Sequence, residues 1–292
     1  MGSRHLMKLR VLTALLLIPP VLYLAVWAPW WVFLAALLLV VERTAYECFQ
    51  ISGAAGLENL RGFGYAGCAA LCLAQAADLR LPDVSGFSGV TVMPVTILLV
   101  ILGLTWGLIR TADVRQYLRA VCSTLFVILY PGLMLSTLLP LRFSPAIAQD
   151  LSLAIPQRYL LVLLFGVIWA GDACAYFVGR SLGRHRLFPH ISPKKTLEGS
   201  LGGLAGSILL AWALGRWWHA ADMRIVLLLG ALAAVAGQVG DLVESALKRS
   251  ADLKDSGDLL PGHGGLLDRI DSLIFAAPVV WLALAVMHLL QT

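Results

Sequence analysis

The sequence predicts an all-α integral membrane protein of about nine transmembrane helices with a polar cavity facing the cytoplasm. Three observations point there. Hydrophobic residues make up 59% of the 292 residues and charged ones only 13%, whereas a soluble domain carries about 25% charged residues. One globular core cannot hide that much apolar surface. Nine stretches approach the roughly 20 mostly apolar residues that a bilayer span needs: 11–28, 30–49, 62–79, 90–109, 121–140, 159–179, 201–218, 225–247 and 271–290. Finally, the basic residues are divided unevenly between the two sides that these spans define.

Residues 1–6 read as a tag remnant, with Met7 as the expected native start. Lys8 and Arg10 precede an apolar run from Val11 to Trp27. That run ends in Trp27, Pro29, Trp30 and Trp31, an interfacial aromatic cluster rather than the small-residue site of a cleaved signal peptide. It therefore predicts a retained first helix. The second span carries Glu42, Arg43 and Glu47 near its end. Arg43 and Glu47 are four apart, and both a simple pair and a functional role stand. The third span is the weakest, with three glycines and a closing Asp78. Its Gly62-Phe63-Gly64-Tyr65-Ala66-Gly67 spells GxGxxG, but a dinucleotide site requires a preceding strand and a βαβ unit. Close helix packing is the expected use. No GxxxxGK[ST] and no HExxH occurs. The five cysteines lie mostly in apolar stretches without a CxxC pair and read as small packing residues. Residues 7–158 form an N-terminal transmembrane region, and 159–292 a C-terminal catalytic region.

With the N-terminus in the cytoplasm and nine crossings, seventeen of the 22 lysines and arginines fall inside and five outside. The five are Arg80, Arg142, Arg158, Arg216 and Arg224. This is the positive-inside bias, and it puts the polar segments 180–200 and 248–270 on the cytoplasmic side, where nucleotides are available. The net charge of +5 is spread over short segments with no basic stripe, so nucleic acid is not an expected partner.

The densest chemistry lies between Ser245 and Asp271. Lys248, Arg249, Lys254, Asp255, His263, Gly264, Asp268, Arg269 and Asp271 crowd a segment bounded by apolar helices. Asp268 and Asp271 are three apart and would share one face of a helix starting near 261–266. Carboxylates gathered in this way suit Mg²⁺, which prefers one or two carboxylates, waters and phosphate oxygens. The basic residues suit phosphates, and Pro261-Gly262-His263-Gly264-Gly265 offers exposed backbone N–H groups to an anion.

Two further groups stand beside it. Asp172 interrupts the apolar sixth span, and an intramembrane acid is a functional hypothesis by default, with a structural pair to a buried Arg as the alternative. Ser192, Lys194, Lys195 and Thr196 lead into a helix whose N-terminus favours anions. The two lysines alone could merely hold the segment inside, and Glu198 could be an ordinary first-turn acid. Asp241 and Glu244, three apart, with Lys248 four further on, admit both a surface ladder and a role in a site.

The stretch from Ser245 to Asp271 resembles the signature of the phosphatidate cytidylyltransferases, also called CDP-diacylglycerol synthases. Its order is Ser245, Lys248-Arg249, Lys254-Asp255, Pro261-Gly262-His263-Gly264-Gly265, then Asp268-Arg269 and Asp271. The Asp172 region and Ser192-Pro193-Lys194-Lys195-Thr196-Leu197-Glu198-Gly199 are similar to that family too, as are Lys8-Leu9-Arg10 and Tyr46-Glu47. The likeness is close over about 160–280 and looser before. It implies transfer of CMP from CTP to phosphatidate with release of pyrophosphate, Mg²⁺ with scope for a second cation, a homodimer, and an inner-membrane, multi-pass location. On this reading Asp255, Asp268, Asp271 and Asp172 hold metal and, with Lys254, form the catalytic set. Ser192, Lys194, Lys195, Thr196, Lys248, Arg249, His263, Gly264 and Arg269 bind substrate. An ion-coupled transporter would also explain intramembrane acids, but it should show inverted repeats, and the two halves show none. Other CTP-dependent lipid enzymes, such as a polyprenol kinase, separate poorly from this reading.

Overall fold

A computed structural model of the chain describes residue 16 and residues 18–80, 89–144, 147, 157–259 and 264–291. Among the described residues, six helices are long and apolar enough to cross a membrane. They are Val92–Arg110, Val114–Phe143, Arg158–Leu182, Leu197–Trp217, Met223–Ser250 and Leu267–Leu290. The chain is thus a multi-pass, overwhelmingly helical membrane protein. It divides into two compact units, one running to Leu139 and including Leu247–Ile270, the other comprising Pro140–Ala246 and Asp271–Thr292.

The first unit contains α1 (Trp30–Ala54), α2 (Arg61–Asp78), α3 (Val92–Arg110) and α4 (Val114–Val127). Residues 16 and 18–26 are helical, and residues 11–15 and 17 of the expected first span, with Lys8 and Arg10, lie outside the described residues. α1 and α2 are long enough to span, but α1 carries Glu42, Arg43 and Glu47, and α2 begins at Arg61 and ends at Asp78. α4 starts seven residues before the expected 121, because the Asp113 carboxylate accepts the Arg115 N–H at 2.9 Å and caps it. It continues through a π-helical turn, Ile128–Leu133, around Pro131. Proline has no N–H for the i−4 ladder, which loosens the helix there.

The alternation of chain direction shows in the end-to-end contacts of this unit. The Arg80 guanidinium, beyond the end of α2, lies 3.9 Å over the Trp30 ring at the start of α1. Buried Asp78 accepts the Thr91 N–H at 2.8 Å and its hydroxyl at 2.7 Å, pinning the start of α3 beside the end of α2. The GxGxxG glycines serve packing. Gly64 faces the Phe49 ring, and a Cβ on Gly67 would stand 2.6 Å from Ile128 Cδ1. Cys48, Cys68 and Cys72 are buried in this core, whereas Cys122 is exposed.

The second unit contains α5 (Arg158–Leu182), strands β1 (Arg186–Phe188) and β2 (Ser192–Thr196), and α6 (Leu197–Trp217). α7 (Met223–Ser250) and α8 (Leu267–Gln291) contribute most of their length. The polar segment after α5, expected as a loop, is an antiparallel hairpin pairing Arg186 with Thr196 and Phe188 with Ser192. α6 buries Gly199, Gly203, Ser207, Ala211 and Gly215, one per turn. A Cβ on Gly203 would lie 2.9 Å from the Gly171 carbonyl of α5, and one on Gly199 2.9 Å from that of Ala175. Small residues let the two backbones touch, the usual device where lipid offers helices no hydrophobic drive to associate. The same device joins α7 to α8: a Cβ on Gly240 would meet the Asp271 carbonyl at 2.6 Å. That crossing sets the register of the acids on either side.

Candidate active site

Asp241 and Glu244 occupy successive turns of α7, and Asp271 stands in the first turns of α8. The Gly240 crossing brings the three together, with one carboxylate oxygen from each within 4.8 Å of the others. Glu244 is 1% exposed, which rules out a solvated surface ladder. Lys195 of β2 reaches this group, its Nζ 2.5 Å from an oxygen of Asp241. The N–H of Ser272, the next residue, donates to the Asp271 carboxylate at 2.6 Å. Asp271 lies within the electrostatic reach of Asp241, Asp172 and Lys195. Three carboxylates and one lysine leave a net negative pocket that calls for a cation. The donor set fits Mg²⁺: bonds of about 2.0–2.1 Å to octahedral oxygens put ligand oxygens about 3–4 Å apart.

Asp172 sits ten residues before the end of α5, about 15 Å along the axis at 1.5 Å per residue. With Gly171, Ser207, Gln238 and Ser272 it lines a cavity of about 10 Å³, the scale of a single water. The Ser200 hydroxyl donates to the Gln238 side-chain carbonyl, and the Gln238 amide donates to the Ser200 backbone oxygen at 3.1 Å. α6 and α7 are thereby locked beside this acid.

The hairpin that carries Lys195 is held at both ends. Thr196 caps α6 by accepting the Gly199 N–H at 3.1 Å. Glu198 accepts the Arg184 N–H at 3.0 Å and the His185 N–H at 3.2 Å, and contacts the His185 ring Nδ1 at 2.6 Å. It is a clamp across the hairpin base rather than an ordinary first-turn acid.

In the first unit, the segment after α7 folds around two buried acids. Asp268 pairs with Lys248 through Oδ1 at 2.5 Å. Its Oδ2 accepts the Ser256 N–H at 2.9 Å, the Ser256 hydroxyl at 2.9 Å and the Gly265 N–H at 2.8 Å. Glu47 of α1 accepts the Leu266 N–H at 3.0 Å, the Leu267 N–H at 2.8 Å and the Ser256 hydroxyl at 2.9 Å, and pairs with Arg43 at 3.1 Å. Gly264 has φ +81°, the left-handed region that favours glycine, and a Cβ there would stand 2.7 Å from Asp268 Oδ2.

The model of the cytidylyltransferase family matches residues 8–287. The chain belongs to that family. It is 52% identical over 120 residues to the phosphatidate cytidylyltransferase of Bacillus subtilis, covering 41% of this chain and 45% of the relative. Against the Synechocystis phosphatidate cytidylyltransferase it is 51% identical over 123 residues, 41% of each. Against that of Staphylococcus aureus it is 43% identical over 124 residues, 42% of this chain and 47% of the relative. The chain thus matches less than half the length of these curated relatives.

For a cytidylyltransferase-family chain, the expected site residues fall into distinct groups. Lys195, Thr196 and Ser192 lie on β2 and Lys194 is exposed beside them. Asp271 joins Asp241 and Glu244, while Lys248 joins Asp268. Arg249 is exposed and donates to the Leu253 carbonyl at 2.7 Å. Lys254, Asp255 and Arg269 are exposed, and His263 lies outside the described residues. The reading of the chain left Asp241, Glu244 and Glu47 without assigned roles. The spacing of three between Asp241 and Glu244 was the available signal, and Arg43 four residues before Glu47 was the other.

Proposed function

We propose that the chain transfers CMP from CTP to phosphatidate, giving CDP-diacylglycerol and pyrophosphate. The observation that carries this reading is the meeting of Lys195 with the Asp241, Glu244 and Asp271 carboxylates. A phosphate-binding lysine beside a cation-holding acid group is the minimal equipment for phosphoryl-type transfer, which depends on positioning and charge neutralisation. The phosphatidate cytidylyltransferase relatives support the choice of substrates.

An oxygen of the phosphatidate phosphate attacks the α-phosphorus of CTP. The bond from that phosphorus to the bridging oxygen breaks, and pyrophosphate leaves with the electron pair. The attacking oxygen is already anionic near neutral pH, so no strong base is required. Asp241, Glu244 and Asp271 would hold Mg²⁺, with Asp172 alongside and exposed Asp255 available to a second cation. When bound, the ion polarises phosphate oxygens and neutralises developing charge. Lys194 and Lys195 orient the triphosphate; Arg249, Lys254 and Arg269, exposed in the first unit, keep the phosphate-binding role that the sequence suggests for them. Asp268, with every oxygen engaged by Lys248, Ser256 and Gly265, holds the loop's shape. Gly264, at positive φ beside Asp268, shapes the turn before α8, and His263 is kept as a substrate-binding candidate on its place in the sequence alone.

The test is direct. Purified protein should release pyrophosphate from CTP with Mg²⁺ and phosphatidate together, and not when phosphatidate is omitted. Equal release without the lipid would overturn the assignment.

The reading also includes nine crossings in the inner membrane, with the polar segments at 180–200 and 248–270 in the cytoplasm. The charge bias and the alternating helix directions support it. In a cysteine-free background, His190→Cys and Gln291→Cys should react with a membrane-impermeant reagent from opposite sides. Labelling from one side would reject the nine-crossing arrangement.

A further inference from the structure

The first unit holds a groove of about 890 Å³ between the start of α2 and the last two turns of α3. This is within the roughly 300–1,000 Å³ typical of small-molecule sites, and it lies among side chains that the proposed reaction does not use. Its polar lining is Asn59, Arg61, Thr105 and Arg110, and it contains no acid. Arg61 is the first residue of α2 and Arg110 the last of α3, so the antiparallel helices put both guanidinium groups at the same membrane end. Among the described residues neither is paired with a carboxylate. Arg110 lies 5.2 Å over the Trp106 ring, the aromatic-plus-basic pairing of a membrane–water interface. The remaining walls are apolar, and a Cβ on Gly62, also in the lining, would meet no protein atom within 4 Å.

We infer that this groove binds an anionic glycerophospholipid of the surrounding leaflet, its phosphate on Arg61 and Arg110 and its acyl chains along α3. Charge complementarity decides the headgroup. Two planar guanidinium groups donate bidentately to phosphate oxygens, and basic pockets between transmembrane helices take anionic head groups. The walls decide for a lipid over a soluble anion. α3 buries little of its apolar surface, and the groove's own wall residues Leu102, Trp106 and Ile109 are exposed. Leu98, one turn before Leu102 and also exposed, extends that face toward the bilayer centre, where only acyl chains can lie.

Native mass spectrometry of full-length protein from mixed micelles, supplied with equal phosphatidylglycerol and phosphatidylcholine of matched chains, tests this without reference to turnover. Phosphatidylglycerol should be retained preferentially. Arg61→Gln and Arg110→Gln should each lower that preference about fivefold, the effect of one basic residue near an anionic surface. Gly62→Leu removes the space without removing charge. A Cβ there meets no protein atom within 4 Å and leucine is a better helix former, so the fold should stand while retention of phosphatidylglycerol falls. Equal retention of the two lipids, unchanged preference in both arginine variants, or release of phosphatidylglycerol by added CTP would each overturn the inference.

Discussion

Asp241→Asn should lower CMP transfer at least ~10²-fold, the scale of losing one electrostatic stabiliser in a catalytic site. The substitution keeps size and removes one of three carboxylates whose oxygens lie within 4.8 Å of one another. It also strips Lys195 of its partner at 2.5 Å. Two consequences separate this from a folding defect. Elution and thermal unfolding should stay near those of the unchanged protein, because Asp241 is partly exposed. The Mg²⁺ concentration giving half-maximal pyrophosphate release should rise. Near-normal turnover at unchanged Mg²⁺ demand would remove Asp241 from the cation site.

Glu47→Gln should destabilise the protein by ~3–5 kcal/mol, the cost of breaking a buried ion pair by removing one partner. Its side chain is 1% exposed. The carboxylate accepts from two backbone N–H groups and the Ser256 hydroxyl while neutralising Arg43. An amide NH₂ in its place would face donors with a donor. The unfolding temperature should fall, and the segment 251–266 should become the first site of limited proteolysis. Arg43→Gln should cost less, since Arg43 is 29% exposed and its loss leaves the three loop contacts intact. Glu47→Gln protein with unchanged melting and unchanged protease resistance would show that the anchor is dispensable.

Much of this was readable from the chain alone, and the reasons are specific. Runs such as Val92–Arg110 are apolar on all sides, so length and composition suffice to name them as spans. Hydropathy cannot say which face of a helix meets which neighbour. The partner of Lys195 lies 46 residues away on α7 and that of Ser256 lies 209 residues away on α1. The second pairing depends on Gly265, where a Cβ would collide with both the Ser256 hydroxyl and the Glu47 carboxylate, a requirement that hydropathy does not announce. Asp268 and Asp271 illustrate the difficulty. A spacing of three suggests one shared role, yet Asp268 turns its oxygens to Lys248, Ser256 and Gly265, and Asp271 joins the acids of α7. The hairpin at Arg186–Thr196 was hidden because its strands are three and five residues long and polar, without the alternation that marks a half-buried strand.

The link between Glu47 and the segment at 256–267 has a consequence for biogenesis. Those 209 intervening residues take about 10–40 s to synthesise at roughly 5–20 residues per second. Throughout that interval α1 has left the ribosome and its carboxylate has none of its three later donors. A lone acid in a membrane helix is costly. Arg43, one turn earlier on the same helix, is the partner made before it. The nascent segment can therefore enter the bilayer as a self-neutralised unit and exchange solvation for its final amides only when the distant loop arrives.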